Sequence, residues 1–202
     1  MIEKKLSRSE FKRKAIIEAA MAEFEAKGFK ATSMDDIAKR AEVSKRTVYN
    51  HFANKDALFS AIMVEMMSLL CTFEHVPFSE ETSLELQLSL VAEQEISHLR
   101  SEAFLPMARV IIAEAIHSPD LIQEAMLEFS DKESPLTSWF YAAYDAGVLK
   151  TEHPEIVVTQ FMAVIKAFCF WPQLIQGAKF PADDEIARIK ETAVQMVLKQ
   201  YT

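Results

Sequence analysis

Apolar residues recur every three or four positions along most of the chain, with breaks at 28–33, 41–44, 53–54, 74–82, 118–119, 147–154 and 172–183. Residues so spaced share one face of a helix, and the pattern predicts an all-α chain of about nine helices. The first runs from about Ser9 to Lys27, opened by a Ser7/Glu10 capping box and stopped by Gly28, with Ile17, Ala20, Met21 and Phe24 facing inward. A short helix over Met34–Arg40 comes next, with Ser33 as its N-cap and Asp35 and Asp36 in the dipole-favoured first turn. A third, Lys45–Phe52, is capped by Ser44, and a fourth starts after Asn54 and carries Leu58, Ile62, Met66 and Leu70 on one stripe. Five longer segments complete the chain, at about 83–101, 103–117, 119–147, 154–173 and 183–201. Pro119 and Pro154 read as first-turn prolines, whereas Pro135 should break or kink the long 119–147 segment.

Residues 33–52, SMDDIAKRAEVSKRTVYNHF, place two short helices around a turn at Ala41–Ser44. Ile37, Ala38, Val43, Val48 and Phe52 supply a small core, and the spacing is that of a helix-turn-helix. The second helix presents Lys45, Arg46, Thr47, Tyr49 and Asn50 on its polar side, groups suited to phosphates and to base edges in a major groove. Charge supports this placement. Residues 1–60 carry a net +4 and residues 61–202 a net −12, a basic head on an acidic body.

Composition narrows the alternatives. Only three glycines occur in 202 residues, which disfavours a turn-rich β fold. No uninterrupted apolar run reaches 18 residues, and MIEKKLSRSEFKRK lacks the apolar core of a signal peptide, so a cytoplasmic protein without a membrane span is expected. Cys71 and Cys169 read as buried or interfacial thiols. No metal-ligand spacing, phosphate loop, nucleophile elbow or paired catalytic carboxylates are present, so no metal, no cofactor and no enzymatic activity are expected.

The chain from about residue 8 to 60 resembles the TetR family of regulators. The resemblance rests on Ala19-Ala20, Phe24, Gly28-Phe29, Thr32 to Ala38, Ala41, Val43 to Phe52, Asn54-Lys55-Asp56 and Leu58-Phe59, and above all on Tyr49-x-His51-Phe52-x-Asn54-Lys55-x-x-Leu58-Phe59. It departs at Glu42, where the family often has Gly, and at Arg46, where it often has Gly or Pro. A left-handed conformation at Glu42 would cost about 1 kcal/mol. The resemblance implies that Thr32 and Ser33 contact phosphate, that Lys45, Arg46, Thr47 and Asn50 face the groove, and that Tyr49, His51 and Lys55 bond phosphates. The helix 1 basic run Arg8, Lys12 and Arg13 would add backbone contacts. Residues 1–56 would then form the DNA-binding domain, with helix 4 from residue 55 leading into a ligand-binding and dimerisation domain at 57–202.

The segment 109–121, Gly147-Val148-Leu149, Pro154-Glu155 and Gln160-Phe161 are similar to AefR-like C-terminal domains. In the wider family the last two helices pair with their copies in a second subunit. Here that implies a homodimer through Val157, Phe161 and Ile165 with Ile189, Ala193 and Val197. Phe104, Met107, Met126, Phe129, Trp139, Phe140, Tyr144, Phe168 and Trp171 would wall an adaptable pocket for a small apolar or aromatic effector, with core packing as the bland alternative. His98, Arg109, Glu114 and His117 are candidate polar groups for that pocket. The function expected is a sequence-specific repressor of double-stranded operator DNA, released by a small ligand; the alternative is a helical small-molecule sensor that no longer binds DNA.

Overall fold

The computed structural model describes residues 7–71, 77–127 and 134–202, with the backbone alone for 68–71. Within them the chain is all helical: α1 Arg8–Lys27, α2 Met34–Arg40, α3 Lys45–His51, α4 Lys55–Cys71, α5 Leu84–Arg100, α6 Phe104–His117, α7 Pro119–Leu127, α8 Pro135–Asp145, α9 Pro154–Cys169, α10 Trp171–Gln176 and α11 Asp183–Tyr201. The two elements beyond the expected nine come from splits with identifiable causes. Pro135 cannot donate an amide to a preceding turn, so it opens a new helix, α8, at its first position. Phe170, at φ −139° and ψ −62°, breaks the 154–173 segment before Pro172.

The fold forms two compact units. The first comprises residues 1–68 and 106–129, and the second residues 69–105 and 130–202. In the first, α1, α2 and α3 close around Ile16, Ile17, Ala20, Phe24, Ile37, Ala38, Val48 and Phe52, all buried, with Leu58, Phe59 and Ile62 of α4. Phe29 stacks between Phe24 and Phe59, its ring centroid 5.1 and 5.4 Å from theirs, and this edge-and-tilt cluster fixes the link between α1 and α2.

In the second unit α9 packs against α5, α8, α10 and α11. Pro154–Gln176 is, by length and composition, apolar enough to cross a membrane, with mean hydropathy 1.3. It passes that test although no uninterrupted apolar run reaches 18 residues. In this unit its longer part, α9, is the central helix. Its face Val157, Phe161, Ile165 and Cys169 is buried, as are Ile186, Ile189, Ala193 and Val197 of α11, which packs on α9, and the Phe140 ring of α8 lies 5.5 Å from that of Phe161.

The residues expected at a subunit interface fall on this packed stripe: Val157, Phe161, Ile165, Ala193 and Val197 are completely buried within a single chain and Ile189 nearly so. The reason is general: the most apolar stripe of a helix is taken by its own chain, because a monomer core needs it to fold at all.

Candidate nucleic-acid interface and effector cavity

The helix-turn-helix is built by its caps. Ser33 and Asp36 form a reciprocal box at the start of α2: the Asp36 amide donates to Ser33 Oγ at 3.1 Å, and the Ser33 amide donates to Asp36 Oδ2 at 3.1 Å. The Ser33 hydroxyl also donates to Asp36 Oδ2 at 2.6 Å, and these bonds hold the Asp36 carboxyl below its ordinary range. At the far end the Val43 amide donates to the Ala38 carbonyl at 3.1 Å and the Glu42 amide to the Lys39 carbonyl at 3.2 Å. This is a Schellman cap, and it needs a left-handed residue one place past the cap. That residue is Glu42, at φ 54°, alone among the described non-glycine residues in having positive φ. Ser44 then starts α3 by accepting from the Thr47 amide at 3.1 Å.

With Val48 buried beneath it, α3 turns its other face outward. Lys45, Arg46, Tyr49 and Asn50 are exposed, and Thr47 and His51 half-buried. Arg46 makes no side-chain hydrogen bond or ion pair among the described residues, so its guanidinium keeps all its donors for a partner. Lys45 pairs with Asp35 at 2.8 Å, which raises its pKa and ties α3 to α2. Beneath the motif, Glu23 is buried between Arg40, at 2.6 Å, and Lys27, at 2.7 Å, and both cations hold its carboxyl below the ordinary range. Arg8, Lys12 and Arg13 are exposed on α1, with the Arg13 guanidinium 5.3 Å from the centroid of the Phe52 ring.

Two expected phosphate ligands have other duties. Lys55 directs its ammonium to the carbonyl oxygens of Phe29, Lys30 and Thr32, the last two at 3.2 and 2.9 Å, and sits 4.5 Å from the centroid of the Phe29 ring. All three of its donors are used inside the chain. The Thr32 hydroxyl is buried and reaches the carbonyls of Gly28, at 2.9 Å, and Glu23, at 3.2 Å. Together these side chains clamp the α1–α2 link and so position Ser33. Sequence spacing placed them correctly beside the motif but does not show that their polar atoms turn inward.

The expected effector residues do not form one site. Phe104 and Trp171 line a cavity of about 500 Å³ in the second unit, together with Glu95, Leu99, Ser134, Leu136, Thr137, Val158, Thr159, Met162, Ala163 and Lys166. Trp139 and Phe140 are buried core residues, 5.1 Å apart between ring centroids. Tyr144 and Phe168 are open to solvent, the latter 52% exposed, although helical spacing sets them near the buried Phe140 and Phe161. Met107 is buried and Met126 exposed, both in the first unit. Phe129 lies outside the described residues. Of the polar candidates, Arg109, Glu114 and His117 share a different cavity of about 490 Å³ with Phe24, Gly28 and Phe29 in the first unit, and Arg109 pairs there with Glu25 at 3.6 Å. His98 lines neither.

Sequence reasoning missed Glu95. It lies on the buried stripe Leu88, Ala92, Glu95, Leu99 of α5, and burial pushes its carboxyl up to about 7. A single acid at a core position of an otherwise apolar stripe was the available signal. Burial likewise pushes the Cys169 thiol up to about 11, which keeps it an unreactive core residue.

Comparison with known proteins agrees with this architecture. Residues 16–62 match the family described as bacterial regulatory proteins, tetR family, and residues 86–202 match the AefR-like transcriptional repressor C-terminal domain. The chain is 37% identical to a TetR family transcriptional regulator of Pseudomonas syringae pv. tomato str. DC3000, over 97% of this chain and 98% of that one, with a TM-score of 0.83. A flavonoid-responsive regulator, FrrA, is 28% identical over 95% and 97% of the two chains, with a TM-score of 0.74. The probable acrEF/envCD operon repressor of Escherichia coli (strain K12) is 27% identical over 124 residues, 57% of this chain and 52% of that repressor, so the chain spans about half the length of that curated relative. The helix-turn-helix with its capped, outward-facing third helix and the AefR-like C-terminal helices occur together in one chain, which therefore belongs to the TetR family of DNA-binding transcription regulators.

Proposed function

We propose that this chain is an operator-binding repressor, released by a small apolar or aromatic ligand taken up in the C-terminal domain. The observation that carries the DNA half of the reading is α3: a short helix anchored by Val48, with Arg46 unpartnered among the described residues and Tyr49, Asn50 and Lys45 exposed beside it. Arg46 and Asn50 are the base-reading candidates, because forked donors and amides match guanine and adenine edges. Lys45, Thr47, Tyr49, His51 and Ser33 would hold phosphates, with Arg8, Lys12 and Arg13 along α1. Thr32 and Lys55 contribute by fixing the loop that carries Ser33. Residues 1–56 would act as the DNA-binding domain and 57–202 as the ligand and dimer domain.

The protein would act as a homodimer. With the inward stripe taken, the accessible faces of α9 and α11 offer Gln160, Ala163 and Val164 opposite Thr192, Gln195 and Met196, which line one shallow groove with Glu191 and Lys199. A mixed surface of apolar, amide and oppositely charged groups of this kind suits a second copy of itself. Ligand support comes from the cavity at Phe104 and Trp171 and from the resemblance to a regulator named as flavonoid-responsive. To act, a ligand must bind the DNA-incompetent arrangement more tightly than the competent one. Helix α4 runs unbroken from Lys55 to Cys71 and so carries the chain directly out of the DNA-binding domain.

The test is selection of DNA fragments from a random pool by the purified protein, with Arg46→Ala beside it. Recovery of an inverted repeat, with affinity falling about a thousandfold between 50 and 200 mM salt for six to ten phosphate contacts, supports the reading. Arg46→Ala should relax preference at one base pair per half-site and cost about 1–3 kcal/mol there. No enrichment at all would leave a sensor without DNA.

A further inference from the structure

The first unit holds a cavity of about 490 Å³ between the end of α1, the link that follows it and the middle of α6. Its volume is in the range of small-molecule sites. Phe24 and Phe29, their ring centroids 5.1 Å apart, and Val110 give it an apolar wall. Glu114 of α6 follows the buried Val110 and Ile111 on the inner side of that helix and is only 4% exposed. Its Oε1 is buried and has no hydrogen-bond partner among the described residues. A buried acceptor left without a donor carries a desolvation cost, which a donor on a ligand relieves.

The other ionisable groups on the lining are Glu25, Lys27, Lys30, Arg109 and His117. Three of them are committed. Arg109 pairs with Glu25 at 3.6 Å, and Lys27 pairs with Glu23 at 2.7 Å and with Asp36 at 3.8 Å. Lys30 makes no side-chain hydrogen bond or ion pair among the described residues, and it is exposed, as is His117 one turn beyond Glu114. The lining therefore carries both signs in separate places, an uncommitted acid at its floor and an uncommitted ammonium at its mouth, with aromatic rings beside them.

We propose that this cavity is a ligand site distinct from the effector cavity of the second unit, and that it takes a zwitterion with an apolar body, an α-amino acid bearing an aromatic side chain. The ligand ammonium donates to Glu114 Oε1, its carboxylate meets Lys30, and its side chain lies against Phe24, Phe29 and Val110. Bonds in which both partners are charged are the stronger kind, so each end contributes to selection. A simple cation supplies Glu114 with a donor but leaves Lys30 without a partner. A simple anion meets Lys30 and leaves the Glu114 oxygen unpaired. A molecule carrying both signs satisfies both groups. The site also adjoins backbone that the DNA face needs, because the carbonyls of Phe29 and Lys30 accept from Lys55 in the link that positions Ser33.

The experiment is calorimetric titration of the full chain, at neutral pH, with phenylalanine, with phenethylamine, which lacks the carboxylate, and with 3-phenylpropionate, which lacks the ammonium. Phenylalanine should bind at least about tenfold more tightly than either analogue. Glu114→Gln should remove most of the preference over 3-phenylpropionate and keep that over phenethylamine. Lys30→Met should do the reverse. Lys30 is exposed, so its variant is the arm to read if Glu114→Gln melts early. No measurable binding of phenylalanine at millimolar concentration, or an analogue that binds as tightly as phenylalanine, overturns the proposal. So does a Lys30→Met variant with unchanged preferences, since the amino acid would then be held elsewhere. The titration needs no DNA, and its outcome is independent of whether the chain selects an operator.

Discussion

Glu42 supports a quantitative prediction, because the same cap occurs twice in this chain with different residues. After α8 the Gly147 amide donates to the Tyr144 carbonyl at 2.8 Å and the Val148 amide to the Ala143 carbonyl at 3.1 Å, the pattern found after α2. Gly147 has φ 71° and Glu42 has φ 54°, so one cap uses the residue free to adopt the left-handed region and the other uses one that is not. An L-residue there loses about 1–2 kcal/mol to the clash of its Cβ. Glycine recovers that but adds about 0.4–1 kcal/mol of unfolded-chain entropy. Glu42→Gly should therefore stabilise the protein by about 0.5–1 kcal/mol, an increase of about 1–4 °C in melting temperature at this chain length. Glu42 is exposed and its side chain makes no hydrogen bond or ion pair among the described residues, so no contact is lost. Glu42→Ala is the decisive control: it keeps the Cβ and should change stability by no more than about 0.5 kcal/mol. The assay is thermal unfolding followed by circular dichroism on the three proteins. If alanine stabilises as much as glycine, the gain comes from removing the carboxylate, and the account based on backbone strain is wrong.

Lys55→Met should lower stability by about 1–3 kcal/mol in chemical denaturation, because it strips donors from three carbonyls of the α1–α2 link; a simple phosphate contact would leave the unfolding midpoint unchanged. Phe161→Glu, at a fully buried position, should unfold the chain, whereas Val164→Glu in the outer groove should give a folded monomer by sedimentation; the opposite pairing would restore the inward stripe as the interface. Glu95 has a folded pKa raised from 4.5 to about 7, so its contribution to stability is fully present below pH 4.5 and is lost as pH rises through 7. Melting of Glu95→Gln against wild type from pH 4 to 8 should show the variant gaining relative stability as pH rises, by on the order of 3 kcal/mol in all with most of it between pH 4.5 and 7, and parallel curves would contradict burial as the cause.

The DNA-binding end of the chain was largely legible because its signals are local. The caps Ser7, Ser33 and Ser44, the stop at Gly28 and the bounds Met34–Arg40 come from short-range rules, and the structure places α2 on those residues. Glu42 stood out for another reason, as a departure from the glycine that the resembled family often has in this turn. What sequence spacing could not reveal was which way a polar tip points. Thr32 and Lys55 stand where a phosphate ligand would stand, yet their polar atoms meet carbonyls that only the folded loop assembles. The C-terminal helices pose a different problem. A stripe such as Val157, Phe161, Ile165 satisfies equally well the requirements of a core and of a subunit contact, and periodicity carries no information on which neighbour covers it. Apolarity is decisive only in combination with its exceptions. Glu95 interrupts a buried stripe and lies on a cavity wall, while Phe168 and Tyr144 satisfy the apolar pattern and lie in solvent. In a helical chain of this kind the residue that violates the pattern at a core position is therefore a sharper pointer to a binding site than the many that obey it, because only the violation imposes a free-energy cost that a ligand can relieve.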